Sequence, residues 1–213
     1  MQVEKQWQKF WDTRSHTKIN IKPFVKNFKY IVDALNIHYD YNEDNGIFQD
    51  MDSLEVGSGR GIISDMLYAC GIAPYKIDKY YNPSDRTNFW NADVFDMPFP
   101  EGRFDIAFTY GLLEHFCFDD QMTIIEKILY VTKPYGVNIH YVVPKKLTNI
   151  FEDSDVARHE CYELRKVFPH QWVFPCFRWF NWRTNKWFGK GFFIVINRGQ
   201  IYKRIGNSFN IID

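Results

Sequence analysis

From Lys22 to Asn36, in "KPFVKNFKYIVDALN", apolar side chains return every three or four positions: Phe24, Phe28, Ile31, Val32 and Leu35. That spacing predicts an amphipathic helix. Ahead of it, Trp7, Phe10 and Trp11 predict another, shorter one. Residues 40–52 are polar and rich in Asn and Asp, and read as a loop. Ser53 to Val56 is a short strand. Residues 61–70 turn helical again: Ile62, Ile63, Met66, Leu67 and Cys70 share a face, and Gly71 serves as the stop.

The pattern then repeats. A second strand is expected at 75–78, ending on Asp78, a third near 89–93, and a fourth at Phe104–Tyr110, "FDIAFTY". A helix follows in "QMTIIEKILYVT", with Asp119 or Asp120 as its N-cap and "KPYG" as its end. Val137–Val143 is a fifth strand, closed by Pro144, and two more are expected around 171–177 and 191–197. Strand and helix alternate through residue 143. The expectation is a three-layer, doubly wound α/β fold: a mostly parallel seven-stranded sheet with helices on both faces. Ligands bind such sheets at the carboxyl ends of the strands, near the topological switch point.

Composition narrows this picture. The 213 residues suffice for one domain with a full core, and 26 Lys/Arg against 26 Asp/Glu leave no global drive toward polyanions. The charge is uneven, however. Lys145 to Arg204 holds 12 Lys/Arg and 5 Asp/Glu, so this segment is basic and the rest acidic by the same amount. Such asymmetry marks either a face that meets an anion or a solvated rim. Cys70, Cys117, Cys161 and Cys176 show no CxxC spacing, the N-terminus has no signal-peptide pattern, and no apolar run is long enough to span a membrane. A cytoplasmic protein with reduced thiols is expected.

One stretch carries chemistry: "LEVGSGRGIISDMLYACG", Leu54 to Gly71, with glycines at 57, 59 and 61. A phosphate-binding P-loop would follow its last glycine with Lys and Ser/Thr, but Ile62 and Ile63 stand there. The dinucleotide fingerprint would place its third glycine where Ile62 lies. What remains is E-x-G-x-G-x-G, headed by Glu55. Glycines admit close backbone approach, and the amides opening the next helix suit a carboxylate. Glu55 could balance a ligand's positive charge.

This turn resembles the first motif of the class I S-adenosylmethionine (SAM) dependent methyltransferases, and later segments extend the likeness across about residues 53–144. "NADVFDMPFPEGRFDIAF" is similar to the family's stretch leading into its fourth strand, "TYGLLEHF" to the segment after it, and "TKPYGVNIHYVVP" to the helix-to-fifth-strand passage. The resemblance implies SAM as cofactor and an antiparallel C-terminal strand. It implies that Glu55, Gly57, Ser58, Gly59, Gly61 and Tyr110 lie at the cofactor. Asp78 would hold the ribose diol, Asp93 would accept from the adenine amino group, and Val94 and Phe95 would flank the ring. Only ten residues, Lys79 to Asn88, separate the second and third strands, too few for a full crossover helix. A single turn started by Asn82-Pro83 is expected there, with Trp7, Phe10 and Trp11 as candidate cover for the pocket; simple packing on the sheet edge is the alternative.

Methyl transfer is an in-line displacement, and the protein mainly supplies alignment and a dry pocket. A base is needed only for a hydroxyl or a protonated amine. His115 is the candidate base, beside Glu114, because imidazole titrates near neutrality; alternatively the pair braces the loop. Some similar O-methyltransferases hold a metal with Glu-x-x-Glu-His, but Gly111 occupies the first position here, so no metal is expected. His140 and Tyr141 rank second, and strand alternation sends one of them toward a helix layer. The aromatic, cationic stretch "HQWVFPCFRWFNWRTNKWFGKGFF" is expected to line the acceptor side, with Arg178, Arg183, Lys186 and Lys190 exposed and able to meet an anion.

The whole reads as one domain: a helical cap (1–40), a cofactor core (53–144) and an acceptor-side part (145–213). The leading function is methyl transfer to a small molecule or glycan, at a hydroxyl. The rivals are a nucleic-acid methyltransferase, disfavoured by neutral charge, and a catalytically silent partner subunit, disfavoured by the retained glycines and acids.

Overall fold

The computed structural model describes residues 21–39, 48, 50–81 and 87–142, with the backbone of four further strands between residues 172 and 197. Beyond Val142 only the Ile196 side chain is described. The expectations for Trp7, Phe10, Trp11, Asn82, Pro83 and Pro144, and for the side chains of Arg178, Arg183, Lys186 and Lys190, lie outside the described residues.

The chain runs α1 (Lys22–Tyr39), β1 (Asp52–Val56), α2 (Ile62–Ala69), β2 (Ala73–Ile77), β3 (Phe89–Trp90), β4 (Phe104–Tyr110), α3 (Phe118–Val131) and β5 (Thr132–Val142). Four short strands follow: β6 (Trp172–Pro175), β7 (Trp179–Asn181), β8 (Lys186–Phe188) and β9 (Phe192–Asn197). The parallel sheet has the order β3-β2-β1-β4-β5. Past β5, β9 pairs antiparallel with it and β6 pairs with β9, while β7 and β8 form a separate ribbon. The chain steps outward from β1 to β2 and β3, then returns to the other side of β1 at β4. The switch point therefore lies between β1 and β4.

Alternation along the strands sorts the core into two layers. Ile106 and Phe108 of β4, with Val137, Ile139 and Tyr141 of β5, pack beneath α1 and α2, against Ile31, Leu35, Ile63 and Leu67. Ala107, Val142, Leu54 and Val56 face α3, where Ile124, Ile125, Ile128 and Val131 complete the stripe. Phe104, Phe108 and Leu54 have no exposure at all. Helix α1 is tied to this sheet by long-range bonds. Asn27 Nδ2 donates to the Tyr110 hydroxyl (2.6 Å), 83 residues away, and the Tyr39 hydroxyl donates to the Asp105 carbonyl (2.9 Å), 66 residues away.

Four boundaries differ from expectation. Strand β2 begins two residues earlier and stops at Ile77, so Asp78 stands just past its end. Strand β3 spans only Phe89–Trp90, because Asp93 caps a 3-10 turn at Val94–Asp96 through its bond from the Phe95 amide (3.0 Å). Helix α3 starts at Phe118 with Cys117 as N-cap; Asp119 and Asp120 lie inside the first turn, where carboxylates still face the positive helix end. "KPYG" does not end the helix. Strand β5 begins at Thr132, directly after α3, and Lys133–Gly136 form an irregularity between the Phe104–Thr132 and Ile106–Val137 pairings. Thr132 Oγ1 donates to the Ile128 carbonyl (2.6 Å) and accepts from Asn138 Nδ2 (2.7 Å), which ties the irregularity to the helix end.

Candidate active site at the switch point

Three chain segments meet at the carboxyl ends of β1, β2 and β4. The first is the glycine turn. The amides of Gly57 and Ser58 both donate to the Ile77 carbonyl (2.9 and 3.1 Å), so the turn folds back over β2. Gly57 has a φ of 67°, in the left-handed region that glycine tolerates. A Cβ there would lie 2.6 Å from Leu112 Cδ1. Gly61 is the N-cap of α2 and has no side chain to cap with. Glu55 does that work from the strand: its Oε2 accepts from the Ser64 amide (3.2 Å) and hydroxyl (2.6 Å). Burial pushes the Glu55 carboxyl up to about 7, against the opposing Ser64 bonds and the Lys76 charge. Ser58 Oγ is buried in the same turn with no hydrogen-bond partner among the described residues.

The second segment follows β2. Asp78 Oδ2 accepts from the Gly59 amide (2.8 Å), and its Oδ1 accepts from the Tyr80 and Tyr81 amides (both 2.8 Å). Burial raises this carboxyl above its ordinary range, and the three amide bonds oppose the rise. One side chain thus joins the glycine turn to the turn after β2. Asn91 Nδ2 donates to the carbonyls of Asp78 (3.1 Å) and Lys79 (2.9 Å), and the Lys79 ammonium meets Asp93 Oδ2 at 3.0 Å. Val94 is buried beside them.

The third segment follows β4. The Tyr110 ring stacks on Tyr141 (4.4 Å between centroids) and on Phe24 of α1 (5.5 Å), with its hydroxyl held by Asn27. Gly111 N donates to the Tyr141 carbonyl (3.1 Å). Leu113–His115 then form a 3-10 turn, in which Glu114 is buried and His115 half-buried. Gln121 of α3, with no exposure, donates from Nε2 to the carbonyls of Leu113 (3.1 Å) and Phe116 (2.9 Å), on either side of that pair. His140 is elsewhere. It lies wholly buried on the α3 side of β5, 3.1 Å from Thr109 Oγ1, and burial lowers its pKa to about 3, so it is neutral at physiological pH.

The sequence-expected residues Glu55, Gly57, Ser58, Gly59, Gly61, Asp78, Tyr110, Glu114 and His115 are therefore carried on segments that meet at the switch point, with Asp93 and Val94 flanking at the β3 end. Leu112, Gln121 and Lys79 were not anticipated. Gln121 had a signal: it is the polar member of the stripe completed by Ile124, Ile125 and Ile128. Leu112, an apolar residue just beyond a strand, had a weaker one, and Lys79 had none.

Residues 54–139 match the family model described as "Methyltransferase domain". The chain has the fold of the class I SAM-dependent methyltransferases. Solved structures share the domain's fold. A SAM-dependent methyltransferase from Archaeoglobus fulgidus superposes with a TM-score of 0.59 at 12% identity, over 82% of this chain and 97% of that one. The PH0226 protein of Pyrococcus horikoshii gives 0.55 at 14% identity, over 86% and 94%. The 1,6-didemethyltoxoflavin-N1-methyltransferase of Burkholderia thailandensis, solved with 1,6-didemethyltoxoflavin and S-adenosylhomocysteine bound, gives 0.53 at 16%, over 85% and 91%. At these identities the likeness is one of fold. No curated protein matches the sequence. The fold and the family match support SAM as the cofactor, and the turn fits it: a buried Ser58 hydroxyl without a partner among the described residues and an acid at the head of the turn suit a charged, polar ligand. Among the described residues no helix is long and apolar enough to cross a membrane.

Proposed function

We propose that this methyltransferase acts on a hydroxyl of a small molecule or glycan. The observation that carries the reading is the joining of three strand ends: Asp78 bonds the Gly59 amide at 2.8 Å, and Leu112, two residues before Glu114, packs against Gly57. Cofactor and base candidates thus share one rigid frame. Glu55, Gly57, Ser58, Gly59 and Gly61 take the amino-acid end of SAM, with Tyr110 beside it. Asp78 takes the ribose diol through the remaining lone pair on Oδ2. Asp93 takes the adenine amino group, with Val94 against the ring.

SAM supplies an electrophilic methyl on a sulfonium. The chain aligns the acceptor oxygen behind that methyl and excludes water. His115 takes the proton the acceptor hydroxyl loses, and Glu114 holds the turn in place. The basic character of residues 145–204 favours an anionic acceptor. The 1,6-didemethyltoxoflavin bound in the Burkholderia structure supports a small-molecule acceptor by analogy of fold alone. The free, exposed thiols of Cys70 and Cys117 support a reducing compartment, the cytoplasm.

The test begins with calorimetric titration of SAM and S-adenosylhomocysteine, with NAD as control, on the wild type and Asp78→Ala. Binding of both sulfur ligands, lost in Asp78→Ala, is expected. Failure of the folded wild type to bind either points to a silent partner subunit. A panel of hydroxylated acceptors, read by S-adenosylhomocysteine release, then tests His115→Ala. Full turnover in that variant removes His115 as the base.

A further inference from the structure

Lys79 is held at both ends. Its carbonyl accepts from Asn91 Nδ2 (2.9 Å), and the other hydrogen of that amide goes to the neighbouring Asp78 carbonyl (3.1 Å). Its ammonium reaches Asp93 Oδ2 (3.0 Å). Asp93 is fixed from the other side too, since its Oδ1 accepts from the Phe95 amide (3.0 Å). Backbone and side chain of one lysine thus bridge the turn after β2 to the segment after β3, and the carboxylate is gripped on both oxygens.

The geometry points to Lys79 as a positioning residue for adenine recognition, acting through Asp93. The inference rests on the proposed role of Asp93 toward the adenine amino group. Among the described residues each oxygen accepts one bond, which leaves a lone pair on each for a further donor. The Asp93 side chain is 35% exposed and that of Lys79 41%. A planar base laid over them would strip that water, and an ionised carboxylate covered without a counter-charge is costly. Lys79 supplies the counter-charge in advance and holds Asp93 in one orientation, so the amino group meets a preorganised acceptor. Lys79 lies on an exposed turn, and the Asn91 bonds go to main-chain atoms, so replacing its side chain leaves them intact.

The experiment measures binding of S-adenosylhomocysteine, and of its analogue lacking the 6-amino group, to wild type, Lys79→Met and Lys79→Arg. Circular dichroism checks that each variant is folded. For Lys79→Met, affinity for S-adenosylhomocysteine should fall about fivefold or more, the scale of losing one partner of a covered ion pair. The loss should be much smaller for the 6-deamino analogue and largely restored in Lys79→Arg. Equal losses for both ligands would make Lys79 merely structural and overturn the inference. So would unchanged affinity, which makes the pair incidental, or tighter binding, which makes Lys79 an obstruction. In all three cases wild-type binding would leave the cofactor reading standing. If the wild type binds neither ligand, the cofactor reading fails, and the inference with it.

Discussion

Leu112 fills the space into which a side chain at Gly57 would project. A Cβ at Gly57 would come within 2.6 Å of Leu112 Cδ1 and 3.1 Å of Cδ2 and Cγ. The glycine is thus required twice, once by its φ of 67° and once by its neighbour in the segment after β4. Gly57→Ala should lose about 1–2 kcal/mol from the backbone alone, with more from displacing Leu112. Adding Leu112→Ala should relieve the clash and leave the backbone cost together with that of the lost leucine contacts. Thermal melts of the two single variants and the double variant check this: simple additivity would show that the two residues do not meet.

Asp78 organises main chain before it meets any ligand. Asp78→Asn keeps the shape but turns one oxygen into a donor facing amides that also donate. We expect a loss of roughly 1–3 kcal/mol in stability as well as weaker SAM binding. Urea unfolding of the ligand-free protein reads the first effect separately from the second. An unchanged midpoint would mean that the amide bonds contribute nothing to folding.

Glu55 makes stability depend on pH. Its folded pKa of about 7 stands above the ordinary glutamate value, so the folded state holds this proton more tightly than the unfolded state. Its favourable contribution is fully present below about pH 4.5 and is lost as pH rises through about 7. Glu55→Gln can still accept both Ser64 bonds while carrying no charge. The variant should therefore gain on wild type by up to roughly 3 kcal/mol at pH 8, with the difference shrinking as pH falls and vanishing only below about pH 4.5. SAM binding should respond oppositely, since a cationic ligand favours the ionised acid. Wild-type affinity should rise from pH 6 to 8, and that slope should flatten in Glu55→Gln. Parallel pH profiles for the two proteins would remove Glu55 from both roles.

Gln121 uses both amide hydrogens on carbonyls that bracket Glu114 and His115. Gln121→Met retains volume but orphans two carbonyls, at a cost of about 2–4 kcal/mol. The NMR signals of the His115 ring should broaden or shift in this variant, while the core signals of α1 remain in place. A His115 spectrum identical to wild type would show that the turn holds itself.

How much of this was legible in the sequence depends on how local each cause is. β4 was read residue for residue, since "FDIAFTY" is bounded by Arg103 and Gly111 and its fate needs no distant partner. The glycine turn was legible because glycine spacing reports backbone shape directly. Strand β5 was misjudged at its start, since "KPYG" has turn chemistry. What keeps it in the strand is the pairing of Thr132 with Phe104 and the bonds Thr132 gives to the Ile128 carbonyl and takes from Asn138, which no local pattern announces. Lys79 and Asp93 are 14 positions apart and meet only because β2 and β3 lie side by side.

Helix α1 precedes the sheet in the chain but docks on strands made much later. Its bonds to Tyr110 and Asp105 span 83 and 66 residues. During synthesis, the apolar face of α1 emerges well before β4 and β5 exist to receive it. The nascent chain must carry Ile31 and Leu35 uncovered, or find them a temporary shelter, until β5, ending at Val142, has left the ribosome. Crowded or slow translation through residues 40–142 should thus be the interval in which this protein is most exposed to aggregation, and in which a chaperone would have most to hold.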